Sequence, residues 1–304
     1  MSTIKTIAFI GLGNMGGPMA ANMVKGGFAV TAFDLSETAL DQAKENGCDT
    51  AQSVAEAVGG KDAVITMLPA GKHVRAVYGG PDGIFANARA GALFFDCSTI
   101  DVQSARDVAE EAQSHGFAMV DSPVSGGVAA ASAGTLAFMV GGSDAAFAAA
   151  KTVLDPMAKT VLHAGGNGAG QAAKICNNML LGITMIGTAE AFVLAKKLGL
   201  DPQRFFDISF HASGQNWSMT SYCPEPGPVP ASPANNGYKP GFAAAMMLKD
   251  LRLAQEAAQN AGAATPLGAE AQALYAMFDS LGGGSTDFSG IIQMLSGEMG
   301  RDDG

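Results

Sequence analysis

The sequence predicts an α/β fold: a doubly wound, Rossmann-type parallel sheet followed by a second, all-α domain. Three observations carry this. Short apolar runs alternate with helical stretches through the first half of the chain. Gly-rich turns sit at the joints between them. Beyond Gly165 the strand-like runs stop and every patterned stretch is helical. Strands that alternate with helices are the mark of βαβ units, because parallel neighbours need a crossover helix between them.

The elements follow in order. Thr6–Ile10 is a short apolar run ending at Gly11. Pro18–Lys25 reads as a helix stopped by Gly26 and Gly27. Ala29–Phe33 is the next strand and ends in Asp34; Ser36 then N-caps a helix over Glu37–Glu45. Ala63–Met67, Leu93–Asp96 and Phe117–Val120 are further strands, with helices between them that include Ser104–His115. Leu136–Val140 and Thr160–His163 add the last strands. The run Gly165–Gly170 is a glycine-rich turn, and Gln171–Leu198 is one long helix, on the order of 40 Å at ~1.5 Å per residue. Its small residues Ala172, Ala173, Gly182, Gly187 and Ala189 permit close helix contacts. Pro202–Ala212, Phe242–Asn260 and Pro266–Leu281 are helical as well. Tyr222–Pro240 holds six prolines and reads as an irregular loop, either a lid over a site or a surface connection. The predicted domains are 1–164 for dinucleotide binding and 165–304, opening with the helix 171–198, for substrate binding and oligomerisation.

Composition narrows the partners. The chain of 304 residues is 48% hydrophobic and only 15% charged, which suits two globular domains. Its net charge of −10 repels phosphate backbones, so nucleic acid is not expected as a partner. An anionic ligand must then be met by local backbone N–H groups or a local positive pocket. Cys48, Cys97, Cys176 and Cys223 form no C-x-x-C pair, and His73, His115, His163 and His211 are equally scattered, so no zinc spacing exists and no metal is expected. Free thiols in a reducing compartment are the plain reading. The first residues lack a leader pattern, and a cytoplasmic location is expected. The most apolar stretch, Met179–Ala195, carries Glu190 and is flanked by Asn177, Asn178, Lys196 and Lys197, which predicts a buried helix and not a membrane span.

Gly11-Leu12-Gly13-Asn14-Met15-Gly16 matches G-x-G-x-x-G. Alone the pattern is weak, but here it follows a strand and opens a helix. Gly11 makes the tight turn, Gly13 lets a pyrophosphate approach the backbone, and Gly16 lets helix and strand pack closely. The helix N-terminus supplies N–H groups and a partial positive charge for the phosphates. Asp34 stands roughly 20 residues on, at the end of the second strand, where a carboxylate accepts from a ribose 2′-hydroxyl and repels a 2′-phosphate. No arginine follows it, so NAD is favoured over NADP. Met67-Leu68-Pro69 and Asp96-Cys97-Ser98-Thr99 lie at strand exits, where open α/β sheets bind ligands.

Hydride chemistry on an alcohol needs a proton partner for the oxygen. Lys174 lies near the start of the long helix, where the dipole disfavours a charged ammonium and burial would disfavour it further. Gln171 and Asn178 share its face, at i−3 and i+4. Asp121-Ser122-Pro123-Val124-Ser125-Gly126-Gly127 leaves a strand with bare backbone that can cradle a carboxylate or simply turn the chain. Lys249-Asp250, inside a predicted helix, reads as a surface pair.

These motifs, with Gly168-Ala-Gly-Gln-Ala-Ala-Lys174-Ile-Cys-Asn-Asn178, resemble the β-hydroxyacid dehydrogenases over nearly the whole chain. The resemblance implies that Lys174 gives and takes the proton on the substrate oxygen and that Asn178 orients the substrate. It implies that Ser125, Gly126 and Gly127 hold the substrate carboxylate, and that Leu68, Pro69, Thr99 and Lys249 join the glycine turn as cofactor contacts. His73 stands where an asparagine is expected. Ser232-Pro-Ala-Asn-Asn236 and the stretch around Trp217 are similar to the branch that oxidises 3-hydroxyisobutyrate to methylmalonate semialdehyde with NAD, as in valine breakdown. Tartronate or succinic semialdehyde reduction is the nearest alternative, and a non-catalytic dinucleotide-binding module is one of another class. Homodimers or homotetramers built on the α-domain are implied.

Overall fold

The computed structural model describes residues 4–299. Its elements run β1 (Thr6–Ile10), α1 (Gly16–Lys25), β2 (Ala29–Phe33), α2 (Glu37–Glu45), β3 (Asp49–Thr50), α3 (Val54–Val58), β4 (Ala63–Thr66), α4 (Gly71–Tyr78), α5 (Ile84–Asn87), β5 (Leu93–Asp96), α6 (Val102–Ser114) and β6 (Ala118–Asp121). They continue with β7 (Val124–Ser125), α7 (Gly127–Ala133), β8 (Leu136–Gly141), α8 (Asp144–Leu154), β9 (Ala158–Gly165) and the long α9 (Ala169–Lys197). After α9 come α10 (Pro202–Phe210), α11 (Trp217–Thr220), α12 (Ala244–Ala261), α13 (Pro266–Ser280) and α14 (Ile291–Ser296). The chain divides into two compact units that meet between Lys174 and Ile175, inside α9.

In the first unit, β3-β2-β1-β4-β5-β6 stand side by side and all pair in parallel. This is the dinucleotide-binding strand order, which reverses direction between β1 and β4. The strands read as nearly unbroken apolar runs because helices cover both faces. Alternate residues go to opposite sides: Ile7, Phe9, Ile65 and Phe95 pack with Met19, Met23 and Val153 of α1 and α8. Ala8, Ile10, Val64 and Phe94 pack with Val58, Val74, Tyr78 and Val108 of α3, α4 and α6. At the far edge β8 runs antiparallel to β6 and β7 and parallel to β9. The pairs Asp121 with Gly141, Val124 with Phe138 and Ser125 with Ala137 keep one register. β7 therefore prolongs β6 and carries Ser125 past the carboxyl edge of the parallel strands.

Among the described residues the second unit is helical, as expected, apart from a bridge between Ala243 and Asp287. By length and composition α9 could cross a membrane. Here Met185, Ile186, Ala189 and Phe192 of α9 pack with Met247 and Leu251 of α12 and Tyr275 and Phe278 of α13. The proline-rich segment is irregular except for a 3₁₀ turn at Pro233–Asn236, and it is pinned down. Tyr238 donates from its hydroxyl to the Pro224 carbonyl (2.8 Å), Ser232 Oγ donates to the Cys223 carbonyl (2.6 Å), and Lys196 pairs with Glu225 (3.0 Å).

Candidate active site

The predicted cofactor residues fall at the carboxyl ends of the parallel strands, except Lys249, which lies on α12. The glycine turn follows β1, Asp34 follows β2, Leu68 and Pro69 follow β4, and Thr99 follows β5. In the turn, a Cβ on Gly16 would collide with the Gly11 carbonyl oxygen, so only glycine brings α1 this close to β1. A Cβ on Gly13 would meet nothing within 4 Å, so the backbone there faces open space. No side chain caps α1, which leaves its N-terminus for a phosphate. These are features that a dinucleotide fits.

Asp34 is half-buried. Its carboxylate accepts from Leu12 N (2.6 Å) and Ser36 N (2.8 Å), which ties the end of β2 to the glycine turn. It is not the cap of α2; that is Ser36, whose side chain accepts from Ala39 N (3.4 Å).

A buried network that sequence reasoning missed sets the two strand exits. Asp96 Oδ1 accepts from Thr66 Oγ1 (2.8 Å) and Ser98 Oγ (2.6 Å), and Ser98 Oγ accepts in turn from Leu68 N (2.8 Å). Gln171, fully buried, donates from Nε2 to the Ser98 carbonyl (2.7 Å) and accepts from Ile100 N (3.1 Å). Its amide thus brackets Thr99 from both sides. Leu68 and Thr99 are held by Asp96 and Gln171, residues named from the sequence whose support of the strand exits only the structure shows.

Asp96 is 1% exposed, and among the described residues its Oδ2 has no hydrogen-bond partner. Burial pushes its pKa from 3.8 up to about 6, against the hydrogen bonds from Ser98 and Thr66 that favour the anion. The folded protein therefore holds a proton there that the unfolded chain loses nearer pH 4. Native stability from this group is full at low pH and falls as pH rises through about 6. At about 1.4 kcal/mol per pH unit the loss is on the order of 3 kcal/mol. Asp96→Asn cannot titrate, so its unfolding midpoint should gain on wild type between pH 4 and pH 7. A difference that stays constant over that range rejects the assignment.

The long helix is anchored by Asp121 at the end of β6. Asp121 Oδ1 accepts from Gly168 N (2.7 Å) and Oδ2 from Gln171 N (2.9 Å), so one carboxylate satisfies two of the donors left over at the start of α9. Burial pushes the Asp121 pKa up, opposed by those same N–H groups. Gly170 lets the helix approach so closely, because a Cβ there would strike the Met139 and Asp121 carbonyl oxygens. On this anchored helix Gln171, Lys174 and Asn178 are exposed by only 0%, 7% and 2%. All three sit on one buried face, where most helix lysines would be solvated. Ser125 is half-buried at the end of β7, and Gly126 and Gly127 have φ of 136° and 71° as the backbone turns into α7. His73 lies exposed in the first turn of α4.

The expectation that Lys249-Asp250 is a surface pair is corrected. Asp250 is 3% exposed and accepts from Asn178 Nδ2 (2.6 Å), while Lys249 Nζ lies 3.4 Å from its other oxygen. The signal was present in the sequence. Met247, Asp250, Leu251, Ala254 and Ala258 recur at helical spacing, so Asp250 falls on the buried stripe of α12.

Comparison with known proteins shows the family. Residues 6–166 match the family model described as the NAD binding domain of 6-phosphogluconate dehydrogenase, and residues 168–295 match the NAD-binding of NADP-dependent 3-hydroxyisobutyrate dehydrogenase. The chain is 50% identical to 3-hydroxyisobutyrate dehydrogenase of Pseudomonas aeruginosa over 96% of this chain and 99% of that one. It is 46% identical to an NAD-dependent L-serine dehydrogenase of the same organism, over 96% and 98%. The solved structure of 3-hydroxyisobutyrate dehydrogenase from Mycobacterium tuberculosis with L-serine superposes with a TM-score of 0.92, at 51% identity over 96% of this chain and 99% of that one. With a glycine turn after β1, a buried lysine on the long helix and near-full-length identity at this level, the chain belongs to the 3-hydroxyisobutyrate dehydrogenase family of β-hydroxyacid dehydrogenases.

Proposed function

We propose that this enzyme reversibly oxidises 3-hydroxyisobutyrate to methylmalonate semialdehyde with NAD, a step of valine breakdown. The observation that carries this is the buried face of α9, which sets Lys174 one turn before Asn178 with Gln171 behind them. Lys174 Nζ takes the hydroxyl proton in oxidation and returns it in reduction. The Asn178 amide holds the same oxygen, and Ser125, Gly126 and Gly127 hold the carboxylate. NAD, when bound, supplies the hydride acceptor. The residues assigned to hold it are Gly11, Leu12, Gly13, Asn14, Met15, Gly16, Asp34, Leu68, Pro69, Thr99 and Lys249. Residues 1–164 form the cofactor domain in this reading and 165–304 the domain of substrate binding and self-association. The half-apolar exposed side of α9, with Leu180 and Leu194 each 60% exposed, supports a homodimer or homotetramer. The four unpaired thiols suit the cytoplasm.

A panel of 3-hydroxyisobutyrate, L-serine, tartronate semialdehyde and succinic semialdehyde tests the substrate. The expected result is a kcat/KM for 3-hydroxyisobutyrate at least ~10-fold above the others, the discrimination that one or two apolar contacts give. A semialdehyde reductase profile overturns it. L-serine is the second reading, favoured by the relative named for it and by the solved relative's complex. It too is a hydroxyl β to a carboxylate, so the same residues serve it.

Asp34 decides between the two nucleotides. The next residue, Leu35, is 93% exposed and offers no charge to a 2′-phosphate. Asp34→Ser with Leu35→Arg removes the repelling carboxylate and adds a bidentate cation. The ratio of kcat/KM for NADP over NAD should rise by about 10²-fold, the worth of two or three kcal/mol. An unchanged ratio means that Asp34 does not read the ribose.

A further inference from the structure

We propose that Asp250 is a positioning residue that fixes the Asn178 amide for the substrate; this rests on the reading of Asn178 as a substrate contact. A carboxylate can only accept, so the atom of Asn178 that faces Asp250 at 2.6 Å is the amide nitrogen. On its other side Asn178 Oδ1 accepts from Asn177 Nδ2 (3.0 Å). The amide is held at both ends and cannot flip without setting oxygen against carboxylate. Asn178 has two Nδ2 protons. Asp250 takes one, and the second is the one assigned to the substrate oxygen. Asp250 also divides its own oxygens, Oδ2 to Asn178 and Oδ1 towards Lys249 Nζ (3.4 Å). A buried carboxylate at 3% exposure is costly to keep, and here it is spent on one amide and one cation.

The test is a cycle of Asn178→Ala, Asp250→Ala and the double variant, read as kcat and KM for the hydroxyacid, with the Kd of NAD and the unfolding midpoint measured alongside. Asp250→Ala should lower kcat/KM for the hydroxyacid about 10- to 100-fold, the range of a misplaced reacting group, when measured at saturating NAD, so that any change in NAD Kd through Lys249 does not enter the ratio. The double variant should be no worse than Asn178→Ala, and Asp250→Asn, which still presents an accepting oxygen, should recover most of the loss. Should Asp250→Ala not fold, Asp250→Glu carries the same test, since it overshoots the amide by one methylene and should raise KM. Losses that multiply in the double variant, or an Asp250→Asn as poor as alanine, overturn the proposal alone. An Asn178→Ala enzyme with wild-type kcat and KM overturns the reading beneath it, and the proposal with it.

Discussion

Lys174→Ala should lower kcat by roughly 10²–10⁴-fold, the contribution of a positioned acid–base group, while NAD binding is retained. Lys174 is 7% exposed on α9, and its neighbours on that face, Gln171 and Asn178, exchange no proton at neutral pH. His73, His115, His163 and His211 are all exposed, the last three in the first unit's outer elements or on α10's end, and none belongs to this face. No other group on the face can therefore take over. Lys174→Arg should be nearly as poor, because a guanidinium does not give up its proton and its planar head needs a different cavity. The measurement is steady-state turnover beside calorimetric titration with NAD. Turnover within about 3-fold of wild type for alanine would remove Lys174 from the chemistry.

Asp121→Ala has the second large effect, and it acts on the scaffold. The substitution strands the N–H groups of Gly168 and Gln171 at a buried helix start. An unsatisfied buried donor costs about 1–3 kcal/mol, and relief of the carboxylate's own burial returns part of that. A net loss of about 3 kcal/mol lowers the unfolding midpoint by roughly 6–12 °C for a unit of this size. Turnover should fall as well, because Lys174 stands one turn beyond Gln171. Asp121→Asn should also destabilise, since its amide nitrogen then confronts one of the two N–H donors. A midpoint within about 1 °C of wild type for Asp121→Ala would show that water or a shifted helix start replaces the carboxylate.

Much of the architecture is legible locally. β1, β4 and β5 announce themselves as apolar runs because both their faces are covered. Ser36 and the glycine turn declare the starts of α2 and α1 by their residue types. Lys174 and Asn178 can be paired from helical spacing alone. The supports of the site are different. Asp121 reaches donors 47 and 50 residues away, Asp96 and Thr66 meet across 30 residues, and Asn178 and Asp250 across 72. Contacts at such separations leave no period in the sequence.

By itself, then, the sequence determined which residues could bind a dinucleotide and which lysine could move a proton, since turn geometry, capping and helical period act over a few neighbouring residues. Only the tertiary structure decided that Lys174 is buried, that Asp121 holds the start of its helix, that Gln171 frames Thr99, and that Asp250 meets Asn178. The reason is that burial and hydrogen-bond partnership belong to the packing of strands and helices distant in the chain.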